Sequence, residues 1–70
     1  MMPLPLAVVG EENMIRKIGG SPEVKQHLAD LGFVVGGDVT LVAEVNESVI
    51  VRVKETRVGL DKSLAQKIFV

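Results

Sequence analysis

The sequence predicts a mainly β domain, a small SH3-like barrel with one helix between strands 1 and 2 and a short C-terminal helix. Three observations carry that expectation. Valine-rich runs alternate with polar residues at the period of half-buried strands, glycines punctuate those runs, and one stretch carries a full set of helix start and stop residues. In 70 residues, 47% of them hydrophobic, short strands of this kind bury a core only by curling the sheet around itself. An open α+β sandwich of ferredoxin type is the runner-up, but it needs two substantial helices on one face of its sheet. At this length residues 1–70 read as a single domain.

Taken in order, Met1 to Val9 reads as an extended arm that lays Leu4, Leu6 and Val8 alternately onto a hydrophobic surface. Asn13 to Ile18, bracketed by Gly10 and Gly19-Gly20, is expected as the first strand. Ser21-Pro22-Glu23 is a helix start: the serine accepts an amide hydrogen bond, the proline suits the first turn and the glutamate meets the positive dipole end. Val24, Leu28 and Leu31 then form one apolar stripe, and Gly32 supplies the left-handed residue that stops the helix. Beyond Gly36-Gly37-Asp38, the run Val39, Leu41, Ala43, Val45 and the run Val49, Val51, Val53 alternate as two strands of an antiparallel hairpin. Glutamate is a poor second residue for a tight turn at Asn46-Glu47, so a longer loop or local strain is expected there. A strand over Thr56 to Leu60 continues the meander, Asp61 caps a short helix bearing Leu64 and Ala65, and Ile68-Phe69-Val70 returns as a last strand.

Composition removes several function classes. The net charge of -1 offers no positive field for nucleic acid, and Phe33 and Phe69, the two aromatics, sit in apolar runs rather than among basic residues. With no cysteine there is neither a disulfide frame nor a thiolate site. Gly32 to Gly37 has the glycine spacing of a phosphate loop, but Asp38 and Val39 stand where Lys and Ser or Thr belong. No acid, base and electrophile set can be assembled, so no enzymatic activity is expected. The apolar opening lacks a basic leading region and no run reaches membrane-spanning length, so a cytoplasmic protein without membrane insertion is expected. One donor constellation stands out: Glu23, His27 and Asp30, at i, i+4 and i+7 on one helix flank, could ligate Fe(II), Mn or Zn as an open, weakly enforced site. No cofactor is required by the pattern, and a transient Fe(II) or other divalent ion is the most it admits.

Leu28, Leu31-Gly32-Phe33-Val34-Val35-Gly36 and Val39 together resemble the helix-to-strand signature of the FeoA family of bacterial ferrous iron uptake. Pro3-Leu4-Pro5-Leu6 to Gly10, Ile15 to Gly20, Val49-Ile50-Val51 and Leu60 to Ile68 resemble that family in the same order, covering essentially the whole chain. Two departures concern loop rigidity: Val35 replaces a proline often found before that glycine, and Asn46-Glu47 replaces Asn-Gly or Gly-Gly. The resemblance implies a cytosolic SH3-like interaction module acting on the FeoB membrane GTPase that carries ferrous iron. Lys25, His27, Phe33, Val34 and Val35 are the expected docking residues, three apolar anchors with a polar rim. A related domain ends some metal-dependent repressors, so the alternative is a metal-responsive regulatory domain. No DNA-binding helix-turn-helix precedes the barrel in this sequence, which favours the transporter accessory. A third expectation is a weak homodimer through an unpaired sheet edge.

Overall fold

Helix α1, Pro22–Asp30, forms where its local signals place it. In the computed structural model, which describes all 70 residues, the Val24 N–H donates to Ser21 Oγ at 3.2 Å. At the other end Gly32 adopts φ +107°, its N–H donates to the Ala29 carbonyl at 2.9 Å and the Phe33 N–H to the Leu28 carbonyl at 2.9 Å. These paired bonds are a Schellman stop, in which the residue beyond the glycine packs back onto the last turn. Phe33 and Leu28 are accordingly both fully buried.

Six strands build the remainder: β1 (Glu12–Met14), β2 (Lys17–Ile18), β3 (Asp38–Val45), β4 (Ser48–Val53), β5 (Thr56–Asp61) and β6 (Ile68–Phe69), with a short helix α2 (Lys62–Ala65) before the last. They form a four-stranded antiparallel sheet ordered β1-β3-β4-β5 and a two-stranded sheet β2-β6. The alternate residues Val39 and Leu41 of β3, Val49, Val51 and Val53 of β4, and Leu60 of β5 turn inward. They meet Leu4, Ile15, Leu28, Phe33, Ala65 and Ile68 in one core of 14 residues, all of them hydrophobic. The result is the SH3-like barrel that the sequence predicts.

Several local expectations are corrected. The opening residues are not an extended arm: Leu4–Leu6 make a single 3-10 turn that plugs Leu4 into the core while Leu6 and Val8 are left 70% and 62% exposed. The proposed strand Asn13 to Ile18 is two strands in two sheets. Ile15 is fully buried at the crossing, its N–H bonded to Gly37 and the next N–H, of Arg16, to Phe69. The alternation expected through Val45 breaks at a register shift between Leu41 and Ala43, where Val42 has no partner on β4. A one-residue slip swaps the faces beyond it, so Ala43 lies opposite Ile50 and Val45 is 49% exposed. The Asn46-Glu47 turn is neither lengthened nor strained at glutamate: Val45 pairs with Ser48 directly, and the positive φ, 55°, falls on Asn46, which tolerates it. Asp61 stands at the N-cap of α2 but its side chain makes no capping bond. Phe69, whose apolar run predicts a core position, is only half-buried, with Lys17 Nζ 5.7 Å from its ring centroid.

Candidate docking surface

The chain between α1 and β3 is built to hold two apolar side chains outward on a fixed base. Below it, Phe33 is locked into the core by the helix stop. Above it, the Gly37 N–H donates to the Val34 carbonyl at 3.0 Å and Gly36 has φ +90°, while Val35 keeps a negative φ. A tight turn with its positive φ at the third residue alone is type II, which favours glycine there. The turn is then tied to Ile15, just beyond β1: the Gly36 N–H donates to the Ile15 carbonyl and the Ile15 N–H to the Gly37 carbonyl, both at 2.8 Å. Val34 and Val35 are 39% and 64% exposed on this base. Pairing of Met14 with Asp38 brings a third exposed apolar side chain, that of Met14, to the strand position just after the turn.

The five expected docking residues are therefore not one patch. Val34 and Val35 are exposed, but Phe33 is removed from it, because the Schellman contact with Leu28 buries it completely. Lys25 and His27 are both exposed on α1, yet two residues on a helix are about 200° apart, so they flank the buried stripe on opposite sides. Met14 was not legible as a member, since only the long-range register of β1 on β3 places it there.

The donor set for a metal does not fit. Glu23, His27 and Asp30 share a flank, but the outer two are separated by roughly 10 Å along the helix axis, whereas one ion holds its ligands at about 2 Å. Asp30 Oδ1 is moreover taken up by Gln26 Nε2 at 2.8 Å. Nowhere does the fold gather three His, Cys, Asp or Glu side chains in a metal-holding group.

Elsewhere the surface is charged and mixed. A cleft of about 270 Å³ beside the β4–β5 turn is lined chiefly by Glu12, Asp38, Thr40, Arg52, Lys54 and Glu55. Glu44 Oε1 and Lys62 Nζ make an ion pair of 3.4 Å at the barrel end. No helix is long and apolar enough to cross a membrane. All fully buried side chains are hydrophobic, and the exposed apolar residues of the turn stand beside charged ones.

Comparison with known proteins follows the same line. The FeoA domain matches residues 2–70. An Fe(2+) transport protein A of Methanocaldococcus jannaschii is 31% identical over 70 residues, 100% of this chain and 85% of its own. The crystal structure of Stenotrophomonas maltophilia FeoA complexed with zinc, described as a procaryotic SH3 domain protein, superposes with a TM-score of 0.84 at 26% identity, covering 100% of this chain and 89% of that one. A manganese-dependent transcriptional repressor shares the fold, with a TM-score of 0.87 at 20% identity, but 39% of that chain is covered.

Proposed function

The chain belongs to the FeoA domain family, and on that premise we propose that it is an accessory of ferrous iron transport that docks onto the cytosolic part of a FeoB-type membrane GTPase. The observation that carries this reading is the Val34-Val35 turn, apolar at its tip and immobilised at its base by hydrogen bonds to Ile15. A preordered apolar tip loses little conformational freedom on binding, so the free energy of burying it is retained in affinity. Filling a partner's pocket with Val35 and Met14 contributes roughly 1.5–3 kcal/mol per fully buried side chain. The protein acts in this reading as a binding module on the cytoplasmic face, without catalysis and without a resident metal, since its helix donors are not gathered. The shared fold with a manganese-dependent repressor does not by itself favour a metal-sensing role, for the same reason.

Titration of the isotope-labelled chain with the cytosolic GTPase part of its FeoB is expected to shift the amides of Met14 and of residues 34–36. Val35→Asp is expected to weaken that complex at least tenfold, about 1.4 kcal/mol, with an unchanged unfolding midpoint because the side chain stands in solvent. Unaltered affinity of a folded Val35→Asp protein defeats the assignment.

A further inference from the structure

Strand β5 closes one side of the four-stranded sheet and pairs with β4 alone. Its hairpin to β4 has a two-residue turn, Lys54-Glu55, so Val53 and Thr56 form the closing hydrogen-bonded pair. From there even-numbered residues of β5 address β4, a phase that continues into the bond from the Lys62 N–H to the Glu47 carbonyl at 2.8 Å. The N–H and C=O groups of Arg57 and Gly59 and the N–H of Asp61 consequently point away from the sheet, unpaired, along an open edge, while the Asp61 carbonyl, at the N-cap, accepts the first hydrogen bond of α2. All three residues are exposed, and a Cβ added at Gly59 would meet nothing within 4 Å.

The edge is complementary to itself. Laid antiparallel against its own copy about a two-fold axis at Gly59, it sets Gly59 opposite Gly59, Arg57 opposite Asp61 and Asp61 opposite Arg57. Gly59 then exchanges two hydrogen bonds with its copy, and each Asp61 N–H donates to the other copy's Arg57 carbonyl. Their side chains share the outer face of the sheet, where Arg57 now lies directly opposite Arg52, a like-charge arrangement that disfavours the sheet until a counter-charge arrives. No acidic side chain lies within ion-pair distance of either arginine. Slipping the axis to Arg57 or to Asp61 would put like charges opposite each other, and an axis at Val58 or Leu60 would separate Arg57 from Asp61, so the axis at Gly59 is the register that forms both ion pairs. We propose that two copies of this chain pair through β5 in that register, joining their sheets into one eight-stranded sheet with reciprocal Arg57–Asp61 ion pairs. The proposal does not depend on docking to a transporter, which uses the opposite end of the sheet.

The sequence contains no cysteine, so a single Gly59→Cys substitution reports on the axis alone. Hydrogen-bonded partners on antiparallel strands have Cα atoms about 5.5 Å apart, within disulfide range. Under mild oxidation Gly59→Cys is expected to form a covalent dimer at least tenfold faster than Val9→Cys, an exposed site far from the edge. Sedimentation of the unmodified chain over a concentration series is expected to show a monomer–dimer equilibrium. Arg57→Asp should raise the dissociation constant at least tenfold, and adding Asp61→Arg should restore it, with circular dichroism confirming that each variant folds. A strictly monomeric chain with equal cross-linking rates overturns the proposal, as does a dimer indifferent to Arg57→Asp. If the chain stays monomeric while the amides of Arg57, Gly59 and Asp61 shift with the FeoB fragment, the edge belongs to the transporter and self-pairing is wrong.

Discussion

Lys54 and Glu55 carry the least comfortable backbone in the molecule, with φ of 49° and 63°. A turn that needs positive φ at both central residues is type I′, where Asn-Gly is favoured and side chains bearing a full Cβ are strained. Strain was expected at the other hairpin, where Asn46-Glu47 looked unsuited to a tight turn. There asparagine absorbs the single positive φ, and the mismatch sits instead in Lys54-Glu55, the connection between the second and third strands of the meander, which carries neither glycine nor asparagine. Replacing the pair by Asn-Gly should therefore stabilise the fold by about 1–2 kcal/mol, of which most comes from position 55. In a domain of this size that corresponds to a rise of roughly 4–8 °C in unfolding midpoint per kcal/mol, readable by calorimetry. An unchanged midpoint would mean that the turn relaxes in solution to another geometry.

At the scale of elements, the parts legible in the sequence are those whose cause is local. Helix α1 has its serine cap, its first-turn proline and its glycine stop within eleven residues of one another, and the structure keeps all of them. The type II turn at Val34–Gly37 is similarly local, and it leads to a prediction. Proline suits the second position of such a turn, and Val35 donates no backbone hydrogen bond and stands in solvent. Val35→Pro should stabilise the protein by about 0.4–1 kcal/mol in denaturant titration by restricting the unfolded chain. A loss of stability would show that the residue before it, Val34, cannot accept the extended backbone that proline imposes. What was not legible depends on distant partners: the division of Asn13–Ile18 between two sheets is made by Gly37 on one side and Phe69 on the other. The face change after Leu41 is likewise made by β4, and nothing in the alternation Val39, Leu41, Ala43, Val45 announces it.

For the whole molecule, the decisive event is closure. The Met2 and Val70 backbones exchange two hydrogen bonds of 2.8 Å, Pro3 bridges Phe69, and β6 is the sole partner of β2. The candidate surface inherits its order from this seam: Ile15, which anchors the Val34-Val35 turn, is held between Gly37 and the bond from Arg16 to Phe69. That is why Val34 and Val35 could be read from the sequence as exposed apolar residues, whereas the burial of Phe33 and the participation of Met14 could not. Deleting residues 68–70 removes Ile68, fully buried, and Val70, 7% exposed, and strands β2 without a partner. Two buried aliphatic side chains contribute roughly 3–6 kcal/mol together, against a total of about 3.5–10 kcal/mol for a domain of this length. The shortened chain is expected to lose its cooperative unfolding transition and the amide dispersion of its β sheet. Ile68→Ala, which keeps β6 but leaves a cavity, should cost about 2–5 kcal/mol and still fold if the backbone seam itself is what closes the barrel. Equal loss of structure in both variants would instead assign closure to the Ile68 side chain.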